Sequence, residues 1–151
     1  MVAPHYRVFF DTSAYIAALL SPDGAGGALI RLAEAGAFTL VVSEKVVVET
    51  DAVLGKRFPD LIQENRRLWK SLGVEIAPGP SSQQIRPFLR KLHPNDAAIL
   101  CSAHLARVSV FVTWNTRDFM KPGIASLVSF PIVVPADGLK LFRNWIEPFL
   151  G

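Results

Sequence analysis

The chain has 151 residues, of which half are hydrophobic and 19% are charged, and its formal net charge is +3. This composition excludes a disordered or low-complexity polypeptide, and the length suits one domain with its own core. The small excess of Lys and Arg permits an anionic partner such as nucleic acid without requiring one. Because Cys101 is the single cysteine, an internal disulfide is excluded and we expect a reducing, cytoplasmic setting.

Short apolar runs that read as β-strands recur along the chain. Most of them are continuous and do not alternate with polar residues, which is typical of central strands in a parallel sheet covered on both faces. The predicted strands are 7–10, 38–42, 74–76, 108–112 and 131–134. Helical segments lie between them, and the predicted helices are 25–35, 44–54, 60–72, 94–106 and a last one from Pro135.

The helix boundaries carry capping residues. Gly36 follows the first predicted helix, Ser43 precedes the second, and Pro94 occupies a first helical position. The segment 77–87 is rich in Pro, Gly, Ser and Gln, which predicts a surface loop leading into a helix. The alternation of strands and helices predicts an α/β fold, a three-layer α/β/α sandwich with a central, mostly parallel sheet, in a single domain over 1–151.

Membrane and export signals are missing from the sequence. No apolar run approaches the roughly 18 residues that a membrane span needs. The N-terminal MVAPHYR lacks the apolar stretch of a signal peptide. We therefore expect a soluble protein that is not exported and has no membrane partner.

Acidic residues follow or flank the predicted strands. Asp11 comes directly after 7–10, Asp96 lies in the first turn of the helix that begins at Pro94, and Asp118 lies just beyond 108–112. The carboxyl ends of parallel strands share one edge, where open α/β folds place their sites. Each acid also has a structural alternative: Asp11 as a helix cap, Asp96 as a partner of the helix dipole, Asp118 as a turn cap.

Glu49, inside the predicted helix 44–54, is a fourth acid of interest, although it could also belong to a solvated helix face. Two carboxylates about 4 Å apart repel by roughly 4 kcal/mol at an effective dielectric near 20. Three or four acids at one edge therefore need protons or a cation, and hard oxygen ligands suit Mg²⁺ or Mn²⁺. Such an ion could activate water and offset charge on a phosphodiester.

The order of these motifs resembles the PIN-domain nucleases, including the VapC-like toxins of toxin–antitoxin pairs. The matching blocks are VFFDTSAYIAALLSPDG at 8–24, FTLVVSEKVVVETDAVL at 38–54, HPNDAAILCSAHLARVSVFVT at 93–113, TWNTRDF at 113–119 and PIVVPADGLKLF at 131–142. They cover most of the chain, and 55–92 matches least. The resemblance implies a PIN-like fold and a metal-dependent ribonuclease with an acidic pocket.

Particular residues take the family's roles through this resemblance. The implied catalytic and metal-binding acids are Asp11, Glu49, Asp96 and Asp118. Ser13, Thr113 and Asn115 would orient the ligands or contact a phosphate oxygen. Apart from the resemblance, Arg117 and Lys121 are candidates for substrate binding, because an acidic pocket needs basic residues around it to admit a phosphate backbone, although they could also be ordinary surface charge. The implied cofactor is Mg²⁺ or Mn²⁺. The implied partners are single-stranded RNA, an antitoxin protein and a second copy of the chain in a homodimer.

The chain departs from the family at two positions. Asn115 stands where members commonly carry Asp, and a neutral amide predicts weaker metal binding. His93 stands where relatives often carry Asp. Its imidazole could contact a ligand or shuttle a proton, but we interpret it as the residue that enters the helix at Pro94. Trp114 could stack on an exposed base or belong to the core.

Two other functions compete with the nuclease. A phosphatase or phosphotransferase could use Asp11 as a covalent nucleophile, but the dehalogenase-type pattern needs a second Asp where this chain has Ser13. A PIN fold without catalysis could serve as an RNA-binding or assembly module, which Asn115 and His93 make plausible.

Overall fold

The structure, a computed structural model, describes residues 4–150. Residues 1–3 and 151 of the predicted domain 1–151 lie outside the described residues. In the described part, five strands form one sheet in which every neighbouring pair is parallel. The strands are β1 (Arg7–Phe10), β2 (Thr39–Ser43), β3 (Glu75–Ala77), β4 (Val110–Val112) and β5 (Ile132–Val133). Helices flank this sheet, so the predicted α/β/α sandwich is confirmed.

Eight α-helices lie within the described range. They are α1 (Thr12–Leu20), α2 (Ala25–Glu34), α3 (Glu44–Arg57), α4 (Ile62–Leu72), α5 (Arg86–Leu89), α6 (Pro94–Leu105), α7 (Thr116–Phe119) and α8 (Pro135–Ile146). Short 3-10 turns occur at Pro59–Leu61, Ala125–Leu127 and Glu147–Phe149.

The strand order is β3-β2-β1-β4-β5, which places β1 at the centre of the sheet. From β1 the chain moves outward through β2 to β3, and later returns to the other side of β1 with β4 and β5. The direction of winding therefore reverses between β1 and β4. In open α/β sheets such a reversal opens a crevice at the carboxyl ends of the two strands, and ligands bind there.

The core forms around the central strands because their side chains are apolar on both faces. Phe9 on β1 and Phe111 on β4 are fully buried, and their rings stack with centroids 5.1 Å apart. Fully burying a large apolar side chain stabilises a fold by about 1.5–3 kcal/mol. Cys101 on α6 is also buried in this core and carries a free thiol.

The capping residues predicted at Gly36, Ser43 and Pro94 are confirmed. The Ser43 hydroxyl accepts a hydrogen bond from the Val46 N–H at 3.2 Å, and Pro94 opens α6. Gly36 has a φ of +82°, and Gly73, which follows α4, has a φ of +60°. Only glycine adopts this left-handed conformation without strain, so both glycines end their helices.

Several predicted boundaries were wrong by one to three residues. Strands predicted at 38–42, 74–76, 108–112 and 131–134 run instead over 39–43, 75–77, 110–112 and 132–133. Helices predicted at 25–35, 44–54, 60–72 and 94–106 run over 25–34, 44–57, 62–72 and 94–105. An apolar run often extends beyond the residues that pair in the sheet, and helix ends fray into turns, so periodicity alone does not define these ends.

Helices α1, α5 and α7 were not predicted as elements. Helix α1 follows β1 with only Asp11 between them, and its apolar residues continue the strand's run. Helices α5 and α7 have four residues each, which is too short to show a helical period.

Across residues 4–150, no single helix is long and apolar enough to span a membrane. Helices α1 and α2 meet the length and composition criteria only as a pair, and they are bent by 92° at the break between them.

Candidate metal centre

Asp11 is the first residue after β1 and also the N-cap of α1. Its Oδ1 accepts hydrogen bonds from the Ala14 N–H at 2.9 Å and from the Ser13 hydroxyl at 2.7 Å. Its Oδ2 accepts a hydrogen bond from the Thr113 hydroxyl. The residue is 3% exposed. Asp11 thus caps a helix, as its structural alternative supposed, and at the same time lies in the crevice between β1 and β4.

Hydroxyl groups connect the ends of β1 and β4 around this carboxylate. Thr113 follows β4, is fully buried, and accepts the Asn115 N–H at 2.8 Å while it donates to Asp11. The Ser13 hydroxyl accepts the Trp114 N–H at 3.0 Å. Ser13 and Thr113, which the sequence assigned to substrate binding, therefore both donate to Asp11 and fix its orientation.

Glu49 reaches the same region from α3. The Thr12 hydroxyl, at the start of α1, donates a hydrogen bond to Glu49 Oε1 at 2.6 Å. Thr12 was not among the predicted site residues. The contact joins positions 37 apart in sequence, so only tertiary packing reveals it. The sequence signal for Thr12 was its position directly after Asp11, where it adds a second hydroxyl residue to Ser13.

A pocket of about 450 Å³ opens where α1, α3, α6 and the segment after β4 meet. Its polar lining consists of Asp11, Thr12, Ser13, Glu49, Asp96 and Asn115, and its apolar lining consists of Ile16, Ala17, Leu20, Val53 and Ile99. Asp96 lies in the first turn of α6, as predicted. The structure thus brings three of the four predicted acids into one pocket.

Asp118 lies on α7, next to the pocket. The Asn115 side-chain amide donates to Asp118 Oδ2 at 3.1 Å, and the Asp118 N–H donates to Asn115 Oδ1 at 3.4 Å. Asn115 therefore caps α7, the role that the sequence had offered to Asp118 as an alternative. Asn115 belongs to the pocket lining and Asp118 does not, and the Asn115 amide already occupies one oxygen of Asp118.

Burial raises the pKa of Asp11 to about 6, although the hydrogen bonds from Thr113, Ala14 and Ser13 oppose this change. Repulsion from the Asp96 carboxylate is a smaller part of the same rise. Near neutral pH this group is therefore poised between its protonated and ionised forms, and a cation in the pocket would favour the ionised form.

The pKa of Asp96 is also raised, first by burial and then by repulsion from Asp118 and Glu49. His93 and Lys121 oppose this rise. Asp96 therefore interacts electrostatically with each of the other three acids, even though Asp118 is not part of the pocket lining. Repulsion of this kind is relieved when protons or a cation enter the cluster.

The donor set fits a hard divalent ion that keeps much of its water. Within residues 4–150, no three His, Cys, Asp or Glu side chains are already arranged to hold a metal ion. Mg²⁺ in enzymes that act on phosphates usually binds one or two carboxylates and retains several waters. Asp11 and Asp96 supply two carboxylates in one pocket, so a fully formed protein cage is not required.

Basic and aromatic residues lie beside the acids. Lys121 is close enough to Asp96 to lower its pKa, and Arg117 is exposed on α7. Trp114 is 53% exposed, which excludes the core alternative for this side chain. His93 immediately precedes α6 and is exposed, in agreement with its interpretation as a helix-entry residue.

Comparisons with known proteins agree with this architecture. The family model described as the PIN domain matches residues 7–117. The crystal structure of PAE2754 from Pyrobaculum aerophilum is 18% identical in sequence, with a TM-score of 0.54, and the match covers 95% of this chain and 99% of that one. At this identity the likeness shows the fold alone. No curated protein matches the sequence.

Proposed function

Because the chain belongs to the PIN-domain family, whose members are typically nucleases, we propose that it is a metal-dependent endoribonuclease acting on single-stranded RNA. The observation that carries the proposal is the meeting of Asp11, Glu49 and Asp96 in one pocket at the crevice between β1 and β4. The raised pKa values of Asp11 and Asp96 support it, since this cluster favours the arrival of a cation.

Asp11 and Asp96 would hold Mg²⁺ or Mn²⁺, with Glu49 and Asp118 as direct or water-mediated ligands. When bound, the ion supplies a more acidic water and offsets charge on the phosphodiester. Thr113 supports this role of Asp11, because its buried hydroxyl keeps one carboxylate oxygen in a fixed direction. The Thr12 hydroxyl orients Glu49 in the same way, so that this carboxylate can position or deprotonate a water.

The substrate would approach along the basic side of the pocket. Arg117 and Lys121 are exposed beside the acids and can contact phosphate oxygens. Asn115 can contact a phosphate oxygen through a neutral amide. Trp114 presents an exposed indole, and unpaired bases stack on such rings, which favours single strands over duplexes. By analogy with the family, the products would carry 5′-phosphate and 3′-hydroxyl ends.

The biological setting forms part of the same proposal and depends on the resemblance. We propose that residues 1–151 form one PIN domain that acts in the cytoplasm as the toxin of a toxin–antitoxin pair and forms a homodimer. An antitoxin would inhibit it by covering the pocket. The buried free thiol of Cys101 suits a reducing compartment. Copurification with the product of a neighbouring gene would test the pairing.

One observation favours a second candidate, a PIN-fold module that binds RNA without cutting it. Asn115 occupies the place of a usual acid, and its amide holds an oxygen of Asp118. If this contact persists when RNA binds, Asp118 is less able to serve as a ligand. The pocket would then bind metal too weakly for catalysis.

Cleavage of a labelled single-stranded RNA with Mn²⁺ separates the two candidates. We expect the wild-type chain to cut the RNA and EDTA to stop cutting. Asp11→Asn should reduce the rate at least 100-fold, because a direct ligand matters more than the outer-shell partners whose loss costs about 10–100-fold. Asp51→Asn is the matched control, because Asp51 is an exposed acid on α3 and lies outside the pocket lining. Binding without cutting by the wild-type chain would favour the module, and cutting that survives both EDTA and Asp11→Asn would reject the proposed site.

A further inference from the structure

One wall of the pocket is apolar. Residues spaced four apart lie along one line of a helix, so Thr12, Ile16 and Leu20 follow each other on α1. Glu49 and Val53 do the same on α3. All five line the pocket. The polar pair Thr12 and Glu49 is joined by a hydrogen bond, and the apolar side chains continue outward from it.

This wall ends in an exposed leucine. Leu20 is 47% exposed, while Ile16 and Val53 are partly buried. Neither a phosphate nor a hydrated ion gains from contact with such a surface, because their polar groups find no hydrogen-bond partner there. Contact between this surface and a flat apolar face of a ligand is favourable, because it removes apolar surface of both from water. The wall and the acids therefore suit different parts of one ligand.

We infer that this wall, formed by Ile16, Leu20 and Val53, holds an unpaired nucleobase of the nucleotide strand whose phosphate lies at the acids. The inference rests on the proposed function, because it takes the phosphate position from it. The pocket volume of about 450 Å³ is continuous from the acids to the wall, so one nucleotide can contact both. A base inside a duplex cannot reach the wall without leaving its stack.

The chemistry of the wall also sets what it can distinguish. Its side chains have neither donors nor acceptors, so they contact the face of a base and not its hydrogen-bonding edge. Discrimination between bases at this position is therefore weak, while a nucleotide without a base loses the contact entirely. Selectivity for single strands, with little selectivity for sequence, follows from this surface.

Binding experiments with Mn²⁺ in the Asp11→Asn background, in which cutting is slow, test the wall separately from cleavage. The probes are a fluorescein-labelled ten-nucleotide uridine RNA and the same ribose-phosphate backbone without bases, measured by fluorescence anisotropy. We expect the RNA with bases to bind at least tenfold more tightly. Leu20→Ser should reduce that preference by about fivefold to tenfold, as the loss of contact with one apolar side chain predicts.

Leu105→Ser is the matched control, because Leu105 is 43% exposed at the end of α6, away from the pocket lining. It should keep the full preference, and the unfolding temperatures of both variants should match the parent. An unchanged preference in Leu20→Ser would overturn the inference while leaving cleavage, tested separately with the wild-type chain, unaffected. Equal binding of both probes, together with Leu20-dependent binding of an apolar basic peptide, would assign the wall to a protein segment and overturn the inference as well.

Discussion

The stability of the metal-free chain should fall as pH rises, because of Asp11. This carboxyl is 3% exposed, and its pKa in the folded protein is about 6, against an ordinary value of 3.8. Between these two pH values the folded state binds more protons than the unfolded state. Stability is therefore greatest below the lower value and decreases as pH rises through the higher one.

The size of this effect follows from the pKa difference. The folded and unfolded pKa values of Asp11 differ by about two, and each pKa unit corresponds to about 1.4 kcal/mol. Ionised Asp11 therefore lowers the free energy of unfolding by about 3 kcal/mol at pH 7. Asp11→Asn removes the titrating group and keeps a side chain of the same shape. The amide nitrogen can donate to the Thr113 hydroxyl, which also accepts hydrogen bonds, while the remaining oxygen accepts from Ala14 and Ser13.

Urea unfolding in EDTA at pH 4, 5, 6 and 7 measures the effect. The difference in free energy of unfolding between Asp11→Asn and the wild-type chain should shift by about 2–2.5 kcal/mol in favour of the variant from pH 4 to pH 7, because a small part of the cost is already present at pH 4. Added Mg²⁺ should recover stability at pH 7 in the wild-type chain and not in the variant. Parallel pH profiles for the two proteins would refute the reasoning, as would the same change in the exposed-acid control Asp51→Asn.

Four further substitutions have defined outcomes. Thr113→Val removes the hydroxyl that donates to Asp11, so Mn²⁺ affinity measured by calorimetry should fall about 10- to 100-fold, and an unchanged affinity would exclude the orienting role. Asn115→Asp adds a carboxylate to the pocket lining and should raise Mn²⁺ affinity in the same titration, whereas a fall would mean that the cap on α7 matters more. Gly27→Ala should destabilise the fold by about 1–3 kcal/mol in thermal unfolding, because the new methyl would overlap the backbone before α2, while Gly55→Ala, with open space around it, should stabilise by about 0.5–1 kcal/mol.

The sheet was predictable because its strands are continuous apolar runs, and the caps were predictable because they depend on single residue types. Ser43 at the start of α3 and Gly73 at the end of α4 can be recognised as caps from residue type and neighbouring sequence alone. Helix α1 was not predictable by period, because apolar residues occur on all sides of it, although only Ala14, Tyr15 and Ala18 are buried. The ends of β4 and β5 depend on which residues pair across the sheet, and pairing is not local information.

Three acids of the candidate site, Asp11, Asp96 and Asp118, could be chosen from the sequence by their places at strand and helix ends, and Glu49, inside a helix, was matched through the family resemblance. The hydrogen-bond partners of these acids could not be predicted in this way. The Thr12 hydroxyl donates a hydrogen bond to Glu49 only because α1 packs on α3. The Asn115 amide donates a hydrogen bond to Asp118 only because the four-residue helix α7 brings the two side chains together. The apolar wall at Leu20 was hidden for the same reason, since its residues come from two helices separated in the chain.

Isothermal titration calorimetry with Mn²⁺ at pH 6, in buffers of different ionisation enthalpy, tests the shared metal site most directly. Because Asp11 has a pKa of about 6, ion binding should release protons, so the observed enthalpy should depend on the buffer in the wild-type chain. Asp96→Asn should weaken binding at least tenfold. Equal affinity in Asp96→Asn, with an enthalpy that is the same in every buffer, would contradict the account.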